Sequence, residues 1–333
     1  MRGRALYGSG NVERRSVKQA VLSVAAKSGL FALARRASAK RLRILCYHGL
    51  WTTPGFQYGD RLFMPPAQFE ARMARLKRSG YPVLGLDAAV AALAAGDLPD
   101  NAVVVTIDDG WASTHTHMLP ALEAAGLPST VYVTSWYVGR DLPVVNKAVD
   151  YLHARAGRPA VEVAPRAALI EALPPGDRAA ALRDLSMSLG IPLDWWEGRQ
   201  FHSMTPAEVA DCVHRGMDVQ LHTHRHRAAP GQLGAELDAN RACLADWTGL
   251  PPAHFNHFCY PSGEYEPEAE PVLAAQAVRS ATLVDQGTNA PDANPYRLRR
   301  FLDGRSVSDA EFDAYLSGAL DVVDAAAARL RRR

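Results

Sequence analysis

The chain has 333 residues, of which 48% are apolar and 22% charged. This composition excludes a disordered, collagen-like or coiled-coil protein, and the length is sufficient for one large domain. The net charge of +2 is unevenly distributed: residues 1–43 hold eleven Lys and Arg against one acid, whereas residues 44–328 hold 22 basic and 34 acidic residues, a net −12. Because a nucleic-acid binder carries its basic residues on the folded body, we expect no nucleic-acid partner.

The basic N-terminal arm, residues 1–43, contains apolar residues at helical spacing between positions 17 and 34. Two lysines interrupt this run, which is short for a membrane span. Two arginines separate it from the small residues that resemble a signal-peptide cleavage site. We therefore expect neither a transmembrane helix nor a signal peptide. A basic amphipathic helix is predicted instead, either packed on the body or lying on an anionic membrane surface.

The four cysteines predict reduced, buried thiols rather than disulfides. None forms a CxxC pair, and Cys46 and Cys259 lie in apolar runs that are typical of strands. This usage favours a cytoplasmic protein.

Short apolar runs alternate with helical stretches along the body. Strands are predicted at residues 42–47, 82–84, 103–107, 130–133, 217–221, 255–259, 281–284 and 298–302. Helices are predicted at residues 67–79, 86–95, 117–125, 234–247, 272–278, 309–316 and 321–330, and a further helix is predicted to begin at Thr205. Residues 144–189 are predicted to be mostly helical, with breaks at Pro165, Pro174-Pro175 and Gly190. The alternation predicts an α/β fold with a mainly parallel sheet, whose chemistry would gather at the carboxyl ends of the strands.

Four polar motifs follow predicted strands. They are Tyr47-His48-Gly49, Thr106-Ile107-Asp108-Asp109-Gly110, His222-Thr223-His224-Arg225-His226 and Tyr260-Pro261-Ser262-Gly263. Each motif alone is consistent with an ordinary turn or a solvated loop. Their joint occurrence at strand ends favours a functional site.

The chemistry of these motifs favours a metal site. Adjacent carboxylates at Asp108 and Asp109 repel each other unless a cation or proton lies between them. Three histidines within five residues can supply imidazoles, and positions 222 and 226 would share a face in a helical turn. One Asp and two His are a common zinc-ligand set that leaves a position for water. Metal-assisted hydrolysis is the predicted reaction class.

Taken together, the motifs resemble those of the polysaccharide deacetylases, the carbohydrate esterase family 4 or NodB-homology group. The resemblance runs from about residue 44 to residue 303, with a long, mainly helical insertion at about 135–202. It implies a distorted (β/α) barrel with fewer than eight strands. The implied domain division is a basic arm at 1–43, a catalytic domain at 44–320, and a C-terminal helix with a basic tail at 321–333.

The resemblance also assigns roles. Asp109, His222 and His226 are the implied ligands of a divalent metal, expected to be Zn²⁺, although a His224/His226 pairing stays open. Asp108 is the implied general base, and the backbone N–H of Ser262 the implied oxyanion donor.

Two positions depart from the family pattern. Cys259 stands where many members have an arginine that orients the base, and Leu298-Arg299-Arg300 lacks the histidine that often acts as general acid. We predict His48 as the general acid, the alternative being a core histidine bonded to the backbone. Arg300 is expected to orient Asp108 or to bind substrate.

The predicted function is a metal-dependent hydrolase that removes the acetyl group from an N-acetylated sugar in a polysaccharide, oligosaccharide or glycolipid during glycan biosynthesis. The alternatives are a catalytically inactive carbohydrate-binding member and a hydrolase of a non-sugar amide. A cytoplasmic location is expected, with peripheral membrane contact through residues 1–43. The insertion carries Trp136, Tyr137, Trp195 and Trp196, which either cover a sugar or pack the fold.

Overall fold

A computed structural model describes residues 22, 24–26, 28–58, 62–227, 229 and 231–322. Most of the N-terminal arm and the basic tail beyond residue 322 lie outside the described residues, and so does most of the helix predicted at 321–330. The sequence predicts a helix between positions 17 and 34. Among the described residues, a helix spans Leu30–Ala37 and so ends three residues beyond the predicted segment.

A curled sheet of seven parallel strands forms the centre of the fold. Its spatial order is β8-β7-β6-β5-β4-β1-β9, and β2 and β3 form a separate parallel pair. The strands are β1 (Arg43–Tyr47), β2 (Gly49–Leu50), β3 (Phe63–Met64), β4 (Val103–Ile107), β5 (Thr130–Val133), β6 (Asp218–Leu221), β7 (His257–Cys259), β8 (Ser280–Thr282) and β9 (Phe301–Leu302).

The seam segment, residues 298–302, joins the two edges of the sheet. Leu298 bridges Thr282 of β8, and Phe301 and Leu302 pair with β1. The sheet therefore closes into the distorted (β/α) barrel that the sequence predicts. Regular strand geometry covers only the last two residues of the predicted 298–302 strand, because its earlier residues bond to β8 instead of β1.

Helices surround this sheet. They are α1 (Leu30–Ala37), α2 (Pro66–Arg78), α3 (Leu86–Ala95), α4 (Leu119–Ala125), α5 (Val145–Arg155), α6 (Val163–Glu171), α7 (Pro175–Ser188), α8 (Asp194–Glu197), α9 (Pro206–His214), α10 (Leu233–Thr248), α11 (Ala269–Ala275) and α12 (Asp309–Leu316). The predicted start at Thr205 is confirmed as a capping box with Glu208, which satisfies two backbone N–H groups that the first helical turn leaves unpaired. Helices α5 to α8 lie within the segment predicted as an insertion.

The two faces of the strands enter different cores. Leu45 and Val105 belong to the large core beneath the surrounding helices, whereas Ile44 and Val104 pack inside the barrel with Cys259. Side chains alternate across a strand, so the inner face continues from these positions to Cys46, His48, Thr106 and Asp108. Helix α3 closes the bottom of the barrel, and the polar residues lie at the opposite, carboxyl end.

Three predicted features differ in detail. Residues 82–84 form a single bridge from Val83 to Val103 instead of a strand. Pro165 does not interrupt a helix, because it lies in the first turn of α6, where its missing N–H costs no helical hydrogen bond. A π-helix, Thr114–Met118, precedes α4, so the helical stretch begins earlier than residue 117.

All four cysteines are free, and Cys46, Cys212 and Cys259 are buried, which confirms the prediction of reduced thiols. No helix in the part of the chain that the structure describes has both the length and the apolar character to cross a membrane.

Candidate metal centre and active site

All four sequence motifs lie at the carboxyl ends of barrel strands. His48 follows β1, Asp108 and Asp109 follow β4, and His222 follows β6. The fourth motif, Tyr260 to Gly263, follows β7. Parallel strands present their carboxyl ends at one rim of the barrel, so residues distant in sequence share one site.

Asp109, His222 and His226 form a cluster that could hold a metal ion, which we call the metal-ligand cluster. The Nε2 atom of His222 lies 3.1 Å from Asp109 Oδ1, and His226 Nε2 lies 3.3 Å from the same oxygen. One ligand atom of each residue lies within 4.8 Å of the others. An Asp oxygen and two imidazole nitrogens suit a divalent cation such as zinc.

The surroundings of the cluster orient its donor atoms. His222 Nδ1 donates a hydrogen bond to the Cys259 carbonyl over 2.8 Å, so Nε2 is the nitrogen that faces Asp109 and would bind a cation in exchange for its proton. Trp111 Nε1 donates to Asp109 Oδ2 over 2.9 Å, which leaves Oδ1 facing the histidines. The backbone N–H of His222 donates to Asn240 Oδ1. The residues present therefore fit a metal with an open side, since the His226 side chain is 37% exposed and that of His222 only 2%.

The backbone of the histidine motif differs from the helical turn considered above. Thr223 and His226 have φ angles of 62° and 55°, so a bent loop brings His222 and His226 together. His224 lies outside the cluster and bonds through Nδ1 to Ser135 Oγ at 2.9 Å. Of the two alternatives, the structure pairs His226 with His222.

Hydrogen bonds keep Asp109 ionised. Burial by itself raises the pKa of this carboxyl, but hydrogen bonds from His222 and His226 outweigh burial and hold the pKa well below its usual range.

Asp108 is buried beside the cluster and forms an ion pair with Arg300. The Nη1 atom of Arg300 lies 2.7 Å from Oδ1, and Nη2 lies 2.7 Å from Oδ2. Burial raises the pKa of Asp108, but Arg300 outweighs burial and holds that pKa well below its usual range. Two thiols also point at Oδ2, Cys46 at 3.5 Å and Cys259 at 3.4 Å.

Arg300 thus reaches Asp108 although the last residue of β7 is a cysteine. It lies in the seam segment, and its Nη2 also donates to Cys259 Sγ over 3.1 Å. Of the two sequence expectations for Arg300, the structure supports the orientation of Asp108.

His48 is a further neighbour of the Asp108 carboxylate. Its Nε2 atom is 3.7 Å from Asp108 Oδ2, and its side chain is 9% exposed. Burial, the largest influence, lowers the pKa of His48, although the Asp108 carboxylate opposes it. The imidazole is therefore neutral near pH 7.

A cleft of about 680 Å³ opens over the metal-ligand cluster. Asp109, His226 and Ser262 line its base, and the aromatic residues Trp136 and Tyr137 form part of its wall. Ser262 has a φ of 58°, a left-handed conformation that a sharp turn after β7 imposes. Of the insertion aromatics, Trp195 and Trp196 are instead buried in a second core beneath α5 to α8.

Two supporting residues carry weak sequence signals. Trp111 follows the Asp-Asp-Gly motif directly, and this adjacency could have suggested it. Asn240 lies in the middle of α10 and has no motif around it.

A sequence profile of the polysaccharide deacetylases matches residues 95–281, more than half of the chain. Among curated proteins, YxkH of Bacillus subtilis (strain 168), provisionally described as a polysaccharide deacetylase, is 29% identical over 100 residues. The match spans 30% of this chain and 34% of that relative, so the chain matches about a third of the length of YxkH.

Solved structures of the same fold are similar over most of the chain. IcaB from Ammonifex degensii has 20% identity and a TM-score of 0.57, with 83% of this chain and 97% of that chain covered. A de-N-acetylase from Aggregatibacter actinomycetemcomitans has 15% identity and a TM-score of 0.56, with 83% and 99% covered. The Streptococcus pyogenes deacetylase PplD, solved with acetate, has 16% identity and a TM-score of 0.53, with 78% and 91% covered. At these identities the similarity shows the fold.

Proposed function

The chain belongs to the polysaccharide deacetylase family, and from this premise we propose that it hydrolyses the acetamide group of an N-acetylated sugar. The products are acetate and a free amino sugar. The observation that carries the proposal is the convergence of Asp109, His222 and His226 next to the buried carboxylate of Asp108. This arrangement supports a metal-dependent hydrolase acting on a polysaccharide, an oligosaccharide or a glycolipid.

Asp109, His222 and His226 would hold the divalent metal, for which zinc is the first choice. Such a cation supplies Lewis-acid polarisation of a carbonyl and activation of water near neutral pH. Because His222 Nδ1 donates to the Cys259 carbonyl, a cation would replace only the Nε2 proton that faces Asp109, and the ring would keep its orientation.

Asp108 acts as the general base in this proposal. Its pKa is held well below the usual range, so the carboxylate is ionised near neutral pH and can accept a proton from water. Arg300 is a positioning residue, since it fixes both carboxylate oxygens and is not itself among the residues that line the cleft. The fixed orientation lowers the entropic cost of aligning the base with the reacting water.

His48 would return the proton to the leaving amine. Its Nε2 atom is close enough to Asp108 Oδ2 for a short transfer after a small movement. Because its pKa is lowered, a protonated His48 gives up its proton readily. The backbone N–H of Ser262, at the base of the cleft, would stabilise the developing oxyanion.

The deciding experiment measures acetate release by the zinc-loaded full chain from a panel of N-acetylated glycans. Asp108→Asn should retain zinc but abolish acetate release, because the base is lost while the ligands stay. The exposed Asp97→Asn is the matched control and should leave both readouts unchanged. Unchanged acetate release by Asp108→Asn would remove the assignment of the base.

We also propose a cytoplasmic location with peripheral contact to an anionic membrane through the N-terminal arm. On helix α1, Ala34 is buried against the body whereas Leu33 is 62% exposed, and Arg36 is exposed beside it. Binding of the full chain to anionic vesicles should weaken in a Leu33→Ser/Arg36→Gln variant. Val161→Ser, which alters a distant residue that is 79% exposed, should bind like the original chain. Equal binding by all three would remove the membrane proposal.

A further inference from the structure

One wall of the cleft is rich in cations. Lys147, Arg178, Arg225 and Arg227 line it, and Glu171 is the acidic residue that lines it besides Asp109. This concentration is local, because residues 44–328 carry 22 basic and 34 acidic residues. General basicity of the body therefore does not explain it.

Arg178 and Arg227 are the available cations of this wall. Arg225 pairs with Glu236 at 2.9 Å. Neither Arg178 nor Arg227 forms an ion pair with any residue that the structure describes, although the Nε of Arg178 donates to the Leu173 carbonyl. Positive charge without an acidic partner beside a cleft attracts anions and raises their local concentration.

The two arginines come from different elements but line the same cleft as Tyr137. Arg178 lies in the second turn of α7, and Arg227 lies in the loop after β6. Burial, the largest influence, and Glu171 raise the pKa of Tyr137, whereas both guanidinium groups lower it. Charges from α7 and from the loop after β6 therefore meet in one cleft.

An aromatic surface lines the same cleft. The rings of Trp136 and Tyr137 are 4.7 Å apart in an edge-to-face contact. The guanidinium of Arg140 lies 4.4 Å from the Trp136 ring centre, and that of Arg178 lies 5.4 Å from it. Cation–π contacts of this kind hold the indole in place. Aromatic faces beside cations suit a ligand with both a sugar ring and a negative group.

We propose that this cationic wall binds an anionic group, phosphoryl or carboxylate, carried by the saccharide whose acetamide reaches the metal-ligand cluster. The inference rests on the proposed function in taking an N-acetylated saccharide as the ligand, and it deepens that function by naming an acidic class. The cleft, at about 680 Å³, has room for more than one sugar unit or for a sugar and its phosphate.

The test is calorimetric binding to the zinc-loaded full chain. The probes are N-acetylglucosamine 1-phosphate, a disaccharide of glucuronate and N-acetylglucosamine, and neutral diacetylchitobiose. At low salt at least one acidic probe should bind about tenfold more tightly than the neutral probe, and this preference should shrink at high salt. The tighter of the two acidic probes identifies the group as phosphoryl or carboxylate, and either result supports the proposal.

Variants localise the effect. Arg178→Gln and Arg227→Gln should each weaken binding of the preferred acidic probe about fivefold while leaving the neutral probe unchanged. Arg178→Lys keeps the charge and should keep most of the affinity, which separates charge from disturbed packing. Arg166→Gln removes an exposed charge from neighbouring helix α6, outside the cleft, and is the matched control.

Equal affinity for acidic and neutral probes would overturn the inference. So would an equal loss for both probe types in the Arg178 and Arg227 variants. Acetate release is scored separately: release without acidic preference contradicts only this inference, whereas acidic preference without release from any glycan contradicts only the proposed function.

Discussion

Arg300 and Asp108 form a buried two-point ion pair in which each carboxylate oxygen receives one N–H at 2.7 Å. The side chains are 0% and 2% exposed. In such a setting a single missing partner leaves an uncompensated charge, so the geometry is strongly determined. The first prediction follows from this pair.

Arg300→Lys should lower kcat by about ten- to a hundredfold with little change in KM or zinc content, because a lysine cannot hold both oxygens of Asp108. The pKa of Asp108 should also rise, since a lysine has the same charge but cannot replace both hydrogen bonds that help to offset burial. A base that is active when ionised then loses activity at a higher pH, so the acid limb of the kcat profile should move upward. The exposed neighbour supplies the control, Arg299→Lys. An acid limb in the original position would contradict a positioning role.

His222→Gln and His226→Gln should each lose zinc affinity by about a hundredfold or more, because one of three protein ligands is removed. Metal content and a competition titration with a chelator measure this without reference to activity. His224→Gln is a control from the same five residues, since His224 bonds to Ser135 outside the cluster. Loss of zinc in the His224 and His226 variants, with zinc retained in the His222 variant, would favour the His224/His226 pairing.

His48→Gln should reduce kcat by about a hundredfold or more while zinc binding stays unchanged, if the imidazole returns the proton to the amine. If His48 is purely structural, the substitution should instead lower the free energy of unfolding and leave kcat of the folded fraction unchanged. Steady-state kinetics and urea unfolding on the same preparation distinguish these outcomes. His117→Gln, at an exposed position, is the control.

Asp303 provides a pH-dependent contribution to stability. Burial raises the pKa of this carboxyl to about 6, although Arg72 and Tyr47 oppose the shift. The folded state therefore binds the proton more tightly than the unfolded state between about pH 4 and pH 6. The native chain should lose stability relative to Asp303→Asn as pH rises through this window, by up to about 3 kcal/mol.

Urea unfolding of both proteins at several pH values between 4 and 7 measures this difference. Asp309→Asn, which also removes a partner of Arg72 but lies at a more exposed position, controls for the lost ion pair. A difference between the native and Asp303→Asn chains that does not change with pH would contradict the raised pKa.

Two tryptophans of the helical segment should respond differently to truncation. Trp195 is fully buried, so Trp195→Ala should cost about 3–5 kcal/mol of the free energy of unfolding. Trp136 lines the cleft, so Trp136→Ala should mainly weaken saccharide binding. Each variant is the control for the other, in urea unfolding and in calorimetry. A large stability loss confined to Trp136→Ala would reverse these roles.

Local sequence signals predict the α/β class, whereas the barrel and the ligand set come from the resemblance to the deacetylase family. Alternating apolar runs predict most strands, and Asp109, His222 and His226 lie directly after two of them. The contact between Arg300 and Asp108 has no local signal, because 192 residues separate the partners. It depends on how the seam segment closes the barrel, which propensities of short segments do not encode. The cysteine at position 259 indicates only that the arginine found in many family members is absent from that position.

The order of charges along the sequence also does not predict the cationic wall. Its arginines come from α7 and from the loop after β6, within a body of net negative charge. Local composition cannot reveal it, because tertiary packing decides which charges share a cleft.

The seam segment has a consequence for how the protein loses activity on heating. The same five residues tie β8 to β1 and deliver Arg300 to Asp108. Partial opening of this edge would leave the Asp108 carboxylate, the proposed base, misaligned while the remaining strands stay folded. Inactivation should therefore precede global melting on gentle heating, and hydrogen exchange at the backbone amides of Leu298 and Arg300 should report the damage first.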